Sequence, residues 1–329
     1  MDYRRIGKHG LRVSEISLGA WLTYGGSVAE QNSIECIHTA LENGINFIDN
    51  ADVYSRGQAE IVLGKALDGD TFERRHLVLS SKVFWPVSDN IQDYGLSRKH
   101  ILDSIEGTLD RLKQDYLDIY YCHRFDYKTP LEETISTMDD LVHDGIIRYW
   151  GTSVWTAAQL ERAMGVAKEM GAIPPSVEQP RYNMLDRTIE LEVMSSAKFH
   201  GIGITPWSPL QQGILTGKYN NGIPEDSRAT RSEVIKRWLN EETIQKVKKL
   251  TDIASILDLS MSQFALAWIL RRSEISSVIT GASKPDQIFD NMKATGVKLS
   301  KDVLEDVEGI LNNKPDFPPP YAPQLTDRV

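Results

Sequence analysis

Apolar residues fall in short runs separated by longer amphipathic stretches. The runs predict strands near 16–20 (ISLGA), 45–49 (INFID), 76–82 (HLVLSSK), 116–122 (YLDIYYC), 146–152 (IIRYWGT), 175–180 (PSVEQP), 202–206 (IGITP) and 275–280 (ISSVIT). Between and after them, apolar positions recur every three or four residues. That period predicts helices near 30–43, 58–68, 97–113, 131–144, 156–170, 187–200, 262–272 and 284–295. Ser97 stands where an N-cap belongs, and Gly44, Gly145 and Gly171 follow helical runs as C′ glycines do. Ahead of the alternation, YRRIG and LRVSEI flank a turn at Lys8-His9-Gly10 and predict a small hairpin.

Strands that alternate with helices pair in parallel through helical crossovers. Eight of them, with no reversal of order at the centre, favour a closed barrel over a doubly wound open sheet. The expected fold is therefore α/β: a (β/α)8 TIM barrel with an N-terminal β-hairpin and a long lid-like loop after strand seven. That loop is the stretch 207–240, rich in glycine, proline and charge. One domain is expected over 1–313, followed by a proline-rich tail, 314–329, without regular structure.

Composition narrows the function. The 329 residues are 41% hydrophobic and 25% charged, which is ordinary for a soluble globular protein. A net charge of −9, with no block of Lys and Arg, argues against nucleic acid and against an anionic membrane surface. No stretch of apolar residues is long enough to span a membrane, and MDYRRIGKHGLRV lacks the apolar core of a signal peptide. The cytoplasm is expected by elimination. Cys36 and Cys122 show no metal-ligand spacing and read as reduced thiols, so no metal is expected.

Chemistry in such a barrel gathers at the C-terminal ends of the strands. The segment FIDNADVY, 47–54, ends strand two at Asp49 and delivers Tyr54 just beyond. Strand three ends at Lys82 in SSKVFW, and strand four at His123 in YYCHRFD. A tyrosine ordinarily titrates near ~10, too high for acid catalysis at neutral pH. A lysine ammonium beside it stabilises the phenolate and lowers that value, and an aspartate holds the lysine charged. A histidine orients a carbonyl oxygen or relays a proton. Singly, each has a plainer use: Asp49 as a turn cap, Tyr54 as a packing aromatic, Lys82 as a solvated cation, His123 as a donor to backbone. Together at successive strand ends they suit a reaction that places negative charge on a carbonyl oxygen.

These segments resemble the aldo-keto reductase superfamily, over nearly the whole chain. FIDNADVY, SSKVFW and CHR match its Asp/Tyr, Lys and His segments. Further blocks look like the branch that contains voltage-gated potassium-channel β-subunits: GAWLTYGG (19–26), GLSRKHI (95–101), YWGTSVW (149–155), WSPLQQGILTGKY (207–219) and GASKPDQIFDN (281–291). The resemblance implies NADP(H)-dependent reduction of aldehydes or ketones. Tyr54 would be the general acid, Asp49 and Lys82 its tuners, and His123 the group that orients the carbonyl. It implies Trp21, Asp49, Ser153 and Gln179 at the nicotinamide end. Trp207, Ser208, Pro209, Leu210, Gly213, Lys218 and Arg228 would follow the phosphates, and Gly281, Ser283, Gln287, Asp290 and Asn291 the adenosine half. Physical sense supports this: a helix starting near Ser283 offers free N–H groups, and Lys218 and Arg228 offer cations to phosphate.

Three positions depart from that branch. Val154 stands where it has Arg after GTS, His123 where it has Asn, and Asp226 where it has Tyr. His123 favours an active reductase. A ring of Trp21, Tyr24, Phe84, Trp85 and Phe125 is expected at the substrate opening, suited to small or aromatic aldehydes. The resemblance also allows a homo-oligomer, a tetramer included. Two other functions stay in view: an NADP(H)-binding redox-sensing or regulatory subunit, and an aldolase-type lyase using Lys82 as a Schiff base. Tyr54 and the C-terminal blocks speak against the lyase.

Overall fold

The computed structural model describes residues 1–21, 25–26, 28–225, 227–230 and 233–316. Tyr24, Asp226 and the tail beyond residue 316 lie outside the described residues. Two short strands, β1 (Tyr3–Arg5) and β2 (Arg12–Ser14), pair antiparallel as the expected hairpin. Alternation then begins: β3 (Ile16–Gly19) and α1 (Glu30–Glu42), β4 (Phe47–Asp49) and α2 (Gln58–Ala66), β5 (Val78–Val83) and α3 (Arg98–Leu112). It continues with β6 (Leu117–Cys122) and α4 (Leu131–His143), β7 (Ile147–Thr152) and α5 (Ala157–Met170), β8 (Val177–Glu178) and α6 (Val193–His200). After β9 (Gly203–Ile204) come α7 (Glu233–Lys236), α8 (Glu241–Ile256) and α9 (Met261–Leu270). After β10 (Val278–Thr280) come α10 (Pro285–Met292) and α11 (Lys301–Leu311).

The eight barrel strands run parallel in the order β10-β3-β4-β5-β6-β7-β8-β9. The two edges meet. Ile204 bridges Ile275 in parallel, Ser276 N–H donates to the Ile204 carbonyl at 2.8 Å, and Ile279 N–H to that of Pro206 at 3.0 Å. The sheet is a closed (β/α)8 barrel, as the alternation predicts.

Register decides what faces inward. Phe47 is level with Val78, Asp49 with Ser80, Ser80 with Ile119, and Lys82 with Tyr121. The period of two therefore turns 47 and 49, 78, 80 and 82, and 119 and 121 to one side. Phe47, Val78, Ile119, Tyr121 and Val177 form one buried cluster with Ile6 and Val13 of the hairpin, which closes the lower end. The opposite side, with Ile48, Leu79, Tyr120 and Cys122, packs into the larger cluster beneath the helices. At Gly151 a Cβ would lie 2.5 Å from Val177 Cγ1 and 2.9 Å from Tyr121 Cδ1, so only glycine lets the Tyr121 ring fill the barrel.

Local signals hold where they were read. Ser97 caps α3 by accepting from His100 N–H, and Gly44, Gly145 and Gly171 take positive φ past α1, α4 and α5. The structure adds three helices to those the periodicity predicts: α7, α8 and α11. It also starts α6 later than expected, because Thr188–Glu190 is a tighter 3-10 turn. There the buried Arg187 ties Glu190 to Glu308 of α11, both at 2.7 Å. The 207–240 stretch is more structured than a plain lid: it holds 3-10 turns at Gln211–Thr216 and Arg228–Thr230, and α7. Among the described residues no single helix is long and apolar enough to cross a membrane.

Candidate active site

The alternation that fills the barrel also arms its upper rim. The last inward residues of β4 and β5 are Asp49 and Lys82, and His123 directly follows β6. Lys82 is fully buried. Its ammonium donates to Asp49 Oδ2 at 2.7 Å, to the Asn50 carbonyl at 2.5 Å and to the Tyr54 hydroxyl at 3.3 Å. Asp49 Oδ1 accepts from Ser80 Oγ at 2.8 Å and Gln179 Nε2 at 2.9 Å. Tyr54 opens a tight turn in which Ser55 and Arg56 adopt left-handed φ of 48° and 54°, a strained arrangement for non-glycine residues. The Tyr54 ring meets His123 edge-on, with centroids 5.9 Å apart.

Electrostatics sort the protonation states. Burial pushes the Tyr54 phenol up, the Lys82 ammonium pulls it down, and the net result lies above the ordinary value. The expectation that Lys82 lowers the tyrosine below its usual range is thus corrected: its pull is present, but desolvation outweighs it. Tyr54 holds its proton at neutral pH. For Lys82, burial works against the charge, but Asp49 and then Tyr54 overcome it, and the group stays an ammonium. Burial, aided by Lys82 and Arg124, drives His123 well below its usual range, so its imidazole is neutral. Its Nδ1 has no hydrogen-bond partner among the described residues.

A cavity of about 780 Å³ opens at this rim. Asp49, Tyr54 and His123 line it, while Lys82 lies behind Asp49 and Tyr54. Trp21, Ser153, Gln179, Trp207, Ser208, Pro209, Leu210, Gly213, Lys218 and Arg228 line it too. So do Gly281, Ser283, Gln287, Asp290 and Asn291. Of the expected substrate ring, Trp21 and Trp85 line the cavity. Phe84 and Phe125 are not among its lining residues: Phe84 packs on Trp85 and Tyr94, and Phe125 on Trp155 and Tyr127.

The aldo/keto reductase family model matches residues 15–312. The chain belongs to the aldo/keto reductase family. Two plant relatives, each named "Probable voltage-gated potassium channel subunit beta", are similar to it end to end. The Oryza sativa subsp. japonica protein is 42% identical over 322 residues, covering 96% of this chain and 98% of its own. The Arabidopsis thaliana protein is 42% identical over 328 residues, covering 98% and 100%.

The cavity walls of this aldo/keto reductase fit a dinucleotide with phosphates. Half-buried Arg228 and exposed Lys218 have no ion-pair partner among the described residues, which leaves two cations free for an anion. Gly213 has φ 99°, and a Cβ there would lie 2.9 Å from the Lys218 ammonium. Ser208, Gln211 and Gln212 are also left-handed, at 57°, 46° and 55°. Within this wall the Gln211 and Gly213 N–H groups donate to the Ser208 and Leu210 carbonyls at 3.0 and 2.9 Å, which holds the turn together. Asn183 clamps this wall by donating to the Ser208 carbonyl at 3.0 Å and to Gln211 Oε1 at 2.9 Å. Arg181 reaches the same Gln211 oxygen at 2.7 Å. Asp290 lines the cavity, but its two oxygens accept from Ser260 and Gln263, which ties α10 to the start of α9.

Sequence reasoning missed Asn183 and Arg181, whose role exists only through contacts more than twenty residues away. It also missed Thr280 and Arg124, which line the cavity as well. For these a signal was present: Thr280 ends β10 and Arg124 lies two residues past the end of β6, close to the position that singled out Asp49 and Lys82.

Proposed function

We propose that this protein is a cytoplasmic NADP(H)-dependent reductase of aldehydes and ketones. The observation that carries the reading is the hydrogen-bonded run Asp49–Lys82–Tyr54 at the head of a cavity walled by the residues expected to hold the cofactor. Bound there, a reduced nicotinamide would supply hydride to the carbonyl carbon. Tyr54 accepts a hydrogen bond from Lys82, so its own O–H is free to point into the cavity and give its proton to the carbonyl oxygen. The ammonium at 3.3 Å then stabilises the phenolate that remains. Neutral His123 orients the carbonyl by a hydrogen bond without competing as an acid. Ser153 donates to the Gln179 carbonyl at 2.9 Å, and the Ser153 and Gln179 side chains, both lining the cavity, would hold the nicotinamide amide. Lys218 and Arg228 would meet the phosphates, and a contact of either with the 2′-phosphate, which NADH lacks, would favour NADPH over NADH.

The test is a fluorescence titration with NADPH and NADH, then NADPH oxidation with aldehydes. Micromolar or tighter binding that prefers NADPH, with turnover, is expected. Tyr54→Phe lowers kcat by about 10²–10⁴-fold, the range of a lost general acid, and leaves the NADPH Kd nearly unchanged. Equal turnover by the mutant rejects this role for Tyr54.

The names of the two relatives, which say only that each is a probable potassium channel subunit, bring in a second reading: a regulatory subunit, for which we propose tight NADP(H) binding that reports redox state to a partner. It predicts nicotinamide retained through purification, negligible turnover and a channel partner in pull-downs. His123 supports the reductase over this reading.

A further inference from the structure

Arg124 follows His123 directly and lines the same cavity as Tyr54 and Trp85. Its guanidinium lies 5.4 Å from the Trp85 ring centre. The Trp85 and Tyr54 rings in turn flank His123 at 6.4 and 5.9 Å. The cation therefore stands at the end of the cavity where the carbonyl would react, away from the stretch lined by Lys218 and Arg228.

Its charge is unanswered. Arg124 is only partly exposed, and one of its five N–H groups is engaged by the His123 carbonyl. Among the described residues no carboxylate lies within ion-pair distance of it. Tyr54, which keeps its proton, and then Glu178 act on it through space. That carboxylate, however, accepts from Thr152 Oγ1 and Trp155 N–H, and burial raises it to about 7. Other buried or partly buried arginines among the described residues have an acid each, such as Arg4 with Glu15, Arg74 with Asp118, Arg111 with Glu60 and Arg187 with Glu190. Arg228, likewise unpaired, is the one assigned to cofactor phosphate. A half-desolvated guanidinium without a counter-charge, facing a cavity, is a site for an anion, and its planar fork suits a carboxylate.

We infer that Arg124 anchors an anionic group of the substrate, so that the preferred carbonyl compounds carry a carboxylate across one aromatic ring or a short aliphatic spacer. This rests on the reductase reading above. With the carbonyl oxygen between Tyr54 and His123, the body of the substrate lies along Trp85, and its carboxylate meets the remaining N–H groups of Arg124.

The test compares 4-carboxybenzaldehyde with methyl 4-formylbenzoate, which are close in shape and differ in charge; the ester withdraws electrons from the ring more strongly than the carboxylate, so ring electronics alone favour the ester. With NADPH-loaded protein, kcat/KM is expected to favour the acid by about tenfold or more, the worth of a charge-assisted hydrogen bond. Arg124→Gln should lower kcat/KM for the acid about tenfold more than for the ester, mostly through KM, and Arg124→Lys should restore part of the preference. Equal rates for the two aldehydes in the wild type, or an equal loss on both in Arg124→Gln, overturn the inference. Should Arg124→Gln not fold, Arg124→Met, which also removes the charge, carries the same comparison. If neither aldehyde turns over, calorimetric titration of 4-(hydroxymethyl)benzoate and its methyl ester decides. Arg124-dependent preference for the acid keeps the anion site and rejects the reductase; equal binding rejects the anion site.

Discussion

The Asp49–Lys82 pair makes a prediction that separates structural from chemical roles. The pair is 2.7 Å apart, with side chains 4% and 0% exposed. Removing one partner of such a pair leaves an uncompensated buried charge and costs about 3–5 kcal/mol. Lys82→Met strands the Asp49 carboxylate with two neutral donors, Ser80 and Gln179, both on Oδ1. Asp49→Asn retains both donors on its oxygen but turns an amide NH2 toward the Lys82 ammonium. Each single change should therefore lose about 3–5 kcal/mol. The double variant Asp49→Asn/Lys82→Met buries no charge, keeps the two donors satisfied and removes the clash. Its loss should fall at least ~2 kcal/mol short of the sum, the coupling expected of groups in direct contact. Guanidinium denaturation of all four proteins at pH 7, with unchanged slope, measures this. Losses that add to within ~0.5 kcal/mol would mean that the two groups are held independently. The account of Lys82 as charged because Asp49 faces it would then fail.

Three further outcomes follow from single residues. Asp52 is fully buried, donated to by Ser104 at 2.8 Å, and burial raises its carboxyl to about 7 from an ordinary 3.8. A raised acid keeps its proton in the folded state, so its contribution is full below about pH 4 and is lost as pH rises to about 7, on the order of 4 kcal/mol. Asp52→Asn should lose less stability than the wild type between pH 4.5 and 8 in thermal melts, and an identical loss refutes the assignment. Gly213→Ala places a Cβ in left-handed backbone against Lys218; a stability loss of about 1–2 kcal/mol and weaker NADPH binding by titration are expected. Val154, a β-branched residue at φ 58° and 42% exposed, is strained; Val154→Gly should raise stability by about 1 kcal/mol, read as a higher denaturation midpoint, and a fall would show that its side chain packs usefully.

The barrel was legible because its signal is local and repeated. Each strand is a short apolar run, and each crossover carries an apolar stripe. The three unpredicted helices, α7, α8 and α11, show the limit of that template. A βα alternation assigns one helix to each crossover, yet α7, α8 and α9 all lie between β9 and β10, and α11 follows the last strand. The stripe of α8, Val247, Leu250 and Ala254, is narrow, and it is buried only because α9 and α11 cover it. Nothing in 241–256 alone names those partners.

The site divides along the same line. Asp49, Lys82 and His123 are legible because strand period and strand end together fix direction and height: an ionisable residue after an apolar run, on the inward side, has only the rim to occupy. The state of Tyr54 is not legible in that way. Proximity to Lys82 argues for a lowered phenol, but the balance turns on how deeply the ring is buried, which the turn of left-handed Ser55 and Arg56 sets. The wall from Ser208 to Gln212 is harder still. Its three left-handed residues are Ser and Gln rather than Gly, so no residue type announces the conformation. It is imposed from outside, by Asn183 and Arg181 of the preceding crossover. Chemistry carried by one residue at a strand end can be read from its neighbours in the chain. Chemistry carried by backbone held against its preference is set by whatever holds it, and that requires the fold.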